Sequence, residues 1–429
     1  MEGSSISKNP RDALKVGISA NLGWGFELFD LVVYLYAATI IAPLFFPSTS
    51  YMASVLEALF ALISGYFARP IGAVIFGHYG DRLGRKTVWF VSLLGMGIIT
   101  IAIGFLPTYA AIGVAAPAIL IILRIIQGIF LAGEWGGGMT LVVEAAPDNR
   151  RGLYGGVQQG GAALGLIFAV AATYLAEALA PGPLMATLGW RILFWFGAIP
   201  LIIALAVRWE VGESVEWLAK AKPKIEKLPI ATVFRKYWKF VAIATVTIFG
   251  ESLLYYGGVA YMPTALALFT HLGVYQIANT VLVTNIVWYV LAIPFGYSSD
   301  ILRSRKKLLA SIYIITAVLA YPLMILLISG SYGLALLSGA ILGALFAYQY
   351  SILPAWLGEN IPAVVRYSFT ATVINLGVAF SSFAPYISTY LSTFLPSVTA
   401  MSIVLIIGAI AAVIFVLIGP KDRVHEPLI

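Results

Sequence analysis

Read for polarity alone, the chain is a succession of apolar runs separated by short polar breaks. A helix needs ~20 apolar residues to cross a bilayer. Runs that long fall at about 16–46, 52–78, 87–106, 111–145, 153–179, 190–209, 239–269, 274–296, 308–328, 333–357, 364–391 and 396–418. The pattern predicts an all-α membrane protein with twelve transmembrane helices. The one long polar interval, 210–238, mixes Glu210, Glu213, Glu216 and Glu226 with lysines. It reads as a solvated cytoplasmic linker, part of it suited to an amphipathic helix at the membrane surface. It divides the chain into two six-helix bundles, 1–209 and 239–429.

Charge orders these spans. All but three of the 26 Lys and Arg (the exceptions are Arg69, Arg124 and Arg191) lie in the N-terminal segment or follow an even-numbered span. The alternate breaks, at 47–51, 107–110, 180–189, 270–273, 329–332 and 392–395, contain none. The positive-inside rule then puts both termini and the basic loops in the cytoplasm, and an odd number of spans would scramble that alternation. The first fifteen residues run into an apolar segment too long for a signal-peptide core, so it is expected to be retained. Composition agrees with a bilayer: the chain is 61% hydrophobic and 10% charged, against roughly 25% charged in soluble domains.

The net charge of +7 is distributed by membrane side rather than gathered in a patch, which argues against nucleic acid. There are no cysteines, and His78, His271 and His425 are too far apart in sequence to suggest a metal site. No phosphate-binding loop and no nucleophile–base constellation is present, so neither ATP use nor an enzyme is expected, and no cofactor.

Two short patterns occur once in each half. Gly77-His78-Tyr79-Gly80-Asp81-Arg82-Leu83-Gly84-Arg85-Lys86 has a weaker copy starting at Gly296 and containing Asp300, Arg303, Arg305, Lys306 and Lys307. Glu144, Pro147 and Arg151 match Glu359, Pro362 and Arg366 in spacing. Both pairs fall on the basic side at nearly one offset, which points to a duplicated unit. Together with Gly25-Phe26-Glu27-Leu28-Phe29-Asp30, Ala68-Arg69-Pro70-Ile71-Gly72, Arg124-Ile125-Ile126-Gln127-Gly128, Gly133-Glu134-Trp135-Gly136-Gly137 and Gly189-Trp190-Arg191, these segments make the chain resemble the major facilitator superfamily over nearly its whole length. Within it the chain is most similar to the metabolite:proton symporters. The second charged loop departs from the family pattern at Ser304. The resemblance implies two parallel six-helix halves rocking about a midplane site and a monomeric, proton-coupled carrier of small organic anions or zwitterions. A sugar, phosphate or drug carrier on the same scaffold is the alternative.

The repeated loops suit a latch. Asp81 or Asp300 can accept amide N–H groups at a helix N-terminus. Arg82, Arg85 or Lys86 can pair with an acid such as Glu144. Arg151, Arg303, Glu359 and Arg366 complete the expected gate, each rim pair worth ~0–1 kcal/mol.

Glu27, Asp30, Arg69, Arg124, Glu134 and Glu251 lie inside the spans, where an unpaired charge costs about 2.5–3.5 kcal/mol. They must pair, take up protons or line water. Glu27 and Asp30 are three apart and share a helix face. Two carboxylates so close resist simultaneous ionisation, as a proton carrier requires. Asp30, nearer the middle, is the leading proton site. Arg124 either neutralises an acid or grips an anion with its planar fork, and the resemblance favours a role in proton coupling. Arg69 is a substrate candidate or a support for the kink at Pro70. Glu134 is an arginine's partner or a second proton site. Glu251, Tyr255, Tyr256, Gln127, Trp288, Tyr348, Gln349 and Asn375 are the remaining candidates for the substrate pocket. The two buried arginines tilt the substrate toward a carboxylate.

Overall fold

The computed structural model of the chain describes residues 10–83, 85–210 and 229–428, the side chains at 81–83, 85 and 210 excepted. Twelve membrane-crossing helices are present among them. In the first half they are α1 (Pro10–Phe45), α2 (Tyr51–Leu83), α3 (Arg85–Ile103), α4 (Ala115–Ala145), α5 (Arg151–Leu179) and α6 (Gly189–Trp209). In the second they are α7 (Trp238–Ala260, continued by Met262–Phe269), α8 (Val274–Ile301), α9 (Arg305–Leu327), α10 (Tyr332–Glu359), α11 (Ala363–Leu391) and α12 (Ser397–Ile418). Several start or stop about a turn or more beyond the apolar run, continuing through polar residues at their ends. Residues 211–228, most of the expected linker, lie outside the described residues. After them an amphipathic helix, Pro229–Lys236, buries Pro229 and Val233 and packs against α11.

Between the halves α5 packs on α8 and α10, while α2 and α4 pack on α11. Adding six to each label turns α5–α8 into α11–α2, and α4–α11 into α10–α5. The interface therefore maps onto itself, as a pseudo-twofold pair of bundles requires. Close approach depends on glycine in places. A Cβ on Gly296 of α8 would collide with the Gly152 carbonyl of α5 and come within 3.1 Å of Gly156 Cα.

Four of the membrane-crossing helices are interrupted along their length, α6 among them at Phe196-Gly197. α4 is interrupted at Ala132-Gly133 and α11 at Ser382-Phe383. α7 loosens into a π turn over Tyr255–Ala260. A π turn adds a residue to the helical circuit, and such turns recur at functional sites.

Candidate functional site

The buried charges form discrete pairs. Asp30 of α1 accepts Arg124 Nη1 at 2.8 Å on Oδ2, and Thr100 Oγ1 at 2.8 Å with Gln127 Nε2 at 3.0 Å on Oδ1. Arg124 Nη1 also donates to Gln127 Oε1 at 2.7 Å, and its guanidinium lies 4.1 Å from the Tyr34 ring centre. This cluster ties α1, α3 and α4 together within the first half. Asp30 and Arg124 are both buried. Thr100 was not foreseen, though a hydroxyl amid the third apolar run is a weak signal.

Glu27 and Asp30 do not share a partner. Glu27 Oε1 accepts Arg69 Nη1 of α2 at 2.6 Å, leaving Oε2 without one. Arg69 Nε donates to Asn375 Oδ1 of α11 at 2.7 Å, and Asn375 Nδ2 donates to the Ala132 carbonyl at the α4 break at 3.1 Å. The Glu27 pair is thus joined across the halves, and the Asp30 pair is not. Glu134 is gripped by Arg208 of α6 through two bonds of 2.6 and 2.8 Å. Arg208 lies 3.5 Å from the Trp89 ring centre. Of the two readings of Glu134, the geometry is that of an arginine's partner. Arg208 looked like a loop charge in the sequence but turns inward.

Between the halves is a small enclosed cavity of about 10 Å³. Trp24 and Leu28 of α1 and Trp135 of α4 line it from the first half. Glu251, Ser252, Tyr255 and Tyr256 of α7, Tyr350 and Leu353 of α10, and Ile374 and Val378 of α11 line it from the second. Glu251, Tyr255 and Tyr256, three of the pocket candidates, thus line this cavity. Trp288 stands behind, its ring 5.9 Å from Tyr255 and 5.3 Å from Tyr350. Gln127 and Arg124 belong to the Asp30 cluster, and Arg69 and Asn375 to the bridge beside it; none of the four lines the cavity. Gln349 is buried with its amide atoms unpartnered, away from the lining. Tyr348 is a correction: it packs on Phe295, ring centres 4.7 Å apart, and Tyr350 lines the cavity instead. Two residues along a helix is about 200°, so the two tyrosines face opposite ways. Trp24, Trp135 and Tyr350 were missed because an aromatic in an apolar run looks like core.

Among the described residues, ion pairs close the basic end. Arg366 of α11 donates to Glu144 of α4 at 2.9 Å, and Arg151 of α5 lies 3.7 Å from Glu359 of α10. The acid of each repeat faces the arginine of the other. Asp300 accepts the Gly152 and Leu153 amides at the start of α5, both at 2.9 Å, as the helix N-terminus argument expects. Arg303 is a second correction. It is exposed, with a positive φ of 50°, and Arg305 takes the inner position, 2.7 Å from Asp300 and 2.9 Å from Glu359. The side chains of Asp81, Arg82 and Arg85 lie outside the described residues. The chain's C-terminal segment crosses this seal, its Glu426 carbonyl accepting Arg151 Nη1 at 2.8 Å.

The opposite end is partly open. A cleft of about 270 Å³ runs between Tyr36, Thr39 and Ile40 of α1, Thr173 and Glu177 of α5, Pro263 and Ala267 of α7, and Val274 and Ile277 of α8. Thr264 Oγ1 donating to the Leu35 carbonyl at 2.8 Å ties α7 to α1 at that end.

The profile described as "Major Facilitator Superfamily" matches residues 29–382. Among curated proteins, the chain is 34% identical over 391 residues to "Inner membrane metabolite transport protein YhjE" of Escherichia coli (strain K12), covering 88% of each chain. It is 30% identical over 394 residues to "Putative proline/betaine transporter" of Staphylococcus aureus (strain COL), covering 89% of this chain and 83% of that one. Among solved structures, the proton:xylose symporter XylE superposes with a TM-score of 0.75 at 17% identity, over 98% of both chains. An inward-open, partially occluded form of the xylose transporter XylE from E. coli gives 0.74 at 17%, over 96% and 99%. At that identity the likeness speaks for the fold.

Proposed function

The chain belongs to the major facilitator superfamily, a family of membrane transporters and not of enzymes, and from that premise we propose that it is a proton-coupled symporter of a small anionic or zwitterionic metabolite. It works by alternating access in the plasma membrane, as a monomer. Its basic end and both termini face the cytoplasm. Protons are the only coupling partner, and no other cofactor takes part.

The observation that carries this reading is the Asp30–Arg124 pair, buried within one half at 2.8 Å. A carboxylate fixed to an arginine that keeps its charge can take up a proton and release the arginine, so proton binding changes the packing of α1 against α4. Because this pair does not line the cavity, proton and substrate occupy separate positions in the same half-closed molecule. The sealed basic end and the cleft at the other end fit one step of an alternating cycle. The test is uptake into proteoliposomes driven by an inward proton gradient. Saturable accumulation that collapses with a protonophore is expected. Uptake indifferent to the gradient refutes symport.

A further inference from the structure

Six of the seven buried acids among the described residues have an arginine: Glu27 has Arg69, Asp30 has Arg124, Glu134 has Arg208, Glu144 has Arg366, and Asp300 and Glu359 share Arg305. Glu251 is the exception. It is 1% exposed, its Oε1 has no hydrogen-bond partner, and among the described residues it makes no ion pair. An uncompensated carboxylate at this depth is costly, and it lines the cavity between the halves.

The walls around it are aromatic. Tyr255 and Tyr256 follow it on α7 with ring centres 5.1 Å apart, Tyr350 stands 5.8 Å from Tyr255, and Trp24 meets Trp135 at 6.1 Å. Faces of Trp and Tyr attract cations, and several of them around one carboxylate form the usual surroundings of an organic ammonium group. A plain carboxylate, by contrast, finds no arginine or lysine in the lining. The lining does hold neutral donors without partners, Trp24 Nε1 and the Tyr255 hydroxyl, suited to an anionic oxygen at the other end of a zwitterion.

We propose that the central cavity takes a substrate bearing an organic ammonium group, with Glu251 as its counter-ion and Trp24, Trp135, Tyr255, Tyr256 and Tyr350 as its walls. This rests on the cavity being the substrate site, and it narrows the substrate to a zwitterion over a simple carboxylate. The form described here is contracted. About 10 Å³ holds roughly one water, so the rings must part to admit an ammonium group. The π turn beginning at Tyr255 is where α7 can swing the two tyrosines aside.

The test is direct binding to the purified full chain, read by thermal stability and tryptophan fluorescence, with isosteric pairs as probes. Glycine betaine is compared with 3,3-dimethylbutanoate, and choline with 3,3-dimethylbutanol; each pair exchanges a quaternary nitrogen for carbon at nearly constant shape. The ammonium member of at least one pair is expected to bind about tenfold or more tighter than its isostere. Glu251→Gln should bring that ratio close to one, and Tyr350→Leu should reduce it. If Glu251→Gln does not fold, the wild-type ratio decides alone. Equal binding within both pairs, failure of both ammonium compounds to bind, or an undiminished ratio in a folded Glu251→Gln protein overturns the assignment. Proton-driven uptake of a simple carboxylate without ammonium binding removes this inference and leaves symport standing. Tight ammonium binding with gradient-indifferent uptake does the reverse.

Discussion

Removing the charge of Glu144 should open the basic end. Glu144 and Arg366 meet at 2.9 Å, with side chains 1% and 0% exposed, and belong to opposite halves. Breaking a buried pair by neutralising one member costs about 3–5 kcal/mol, most of it from the charge left dry. When the halves part, water reaches Arg366, so Glu144→Gln penalises the sealed form far more than the open one. A penalty of about 3 kcal/mol shifts the ratio roughly 150-fold, at about 1.4 kcal/mol per factor of ten. A sealed form initially favoured by about 100 to 1 would fall to near parity. The natural sequence has no cysteine, so spin labels at Arg150→Cys and Lys307→Cys, exposed positions on the two halves, report the separation without background. Glu144→Gln should add a long-distance population in pulsed electron resonance. The exchanged double variant Glu144→Arg with Arg366→Glu should remove it. An unchanged distance distribution in Glu144→Gln would refute the claim that this pair biases the gate.

Asp30→Asn should abolish gradient-driven accumulation while sparing exchange of substrate across the membrane; full accumulation would strip Asp30 of its role. Arg124→Lys should lower transport on the order of tenfold or more, because one ammonium replaces a planar fork; an unchanged uptake rate and KM would show that no fork is needed. Gly296→Ala should destabilise the sealed form by about 1–3 kcal/mol through overpacking, and the same label pair should lengthen; no change would mean α5 and α8 have slack. Glu134→Gln should cost about 3–5 kcal/mol of stability by stranding Arg208, seen as a fall in Tm. A normal Tm with lost proton coupling would instead make Glu134 a proton site.

The spans were legible because apolar length and loop charge are both set by the bilayer. Which face of a span looks inward was much less so. α10 is apolar on all sides, so nothing marks Tyr350 over Tyr348 as the inward tyrosine. A run of positive charges likewise hides which member folds back: Arg305 and Arg208 are buried, yet both read as ordinary basic-side charges. Glu27 and Asp30 share a face, as their spacing requires, but that spacing is silent on what faces them, and each has its own arginine. Acid–base repeats were more informative. Glu144 with Arg151 and Glu359 with Arg366 were matched by spacing alone, and the fold pairs them crosswise.

That crosswise pairing has an electrical consequence. In the two crosswise pairs each half brings one acid and one base, so parting these pairs carries no net charge through the membrane field. A transmembrane voltage acts with about 2.3 kcal/mol per displaced charge per 100 mV, and in these two pairs the opposing contributions cancel. On the proposed symport reading, voltage then acts on the transported species and its proton rather than on these two pairs. Hydration and ionic strength act on the seam itself, the latter within a screening length of about 8 Å at physiological salt.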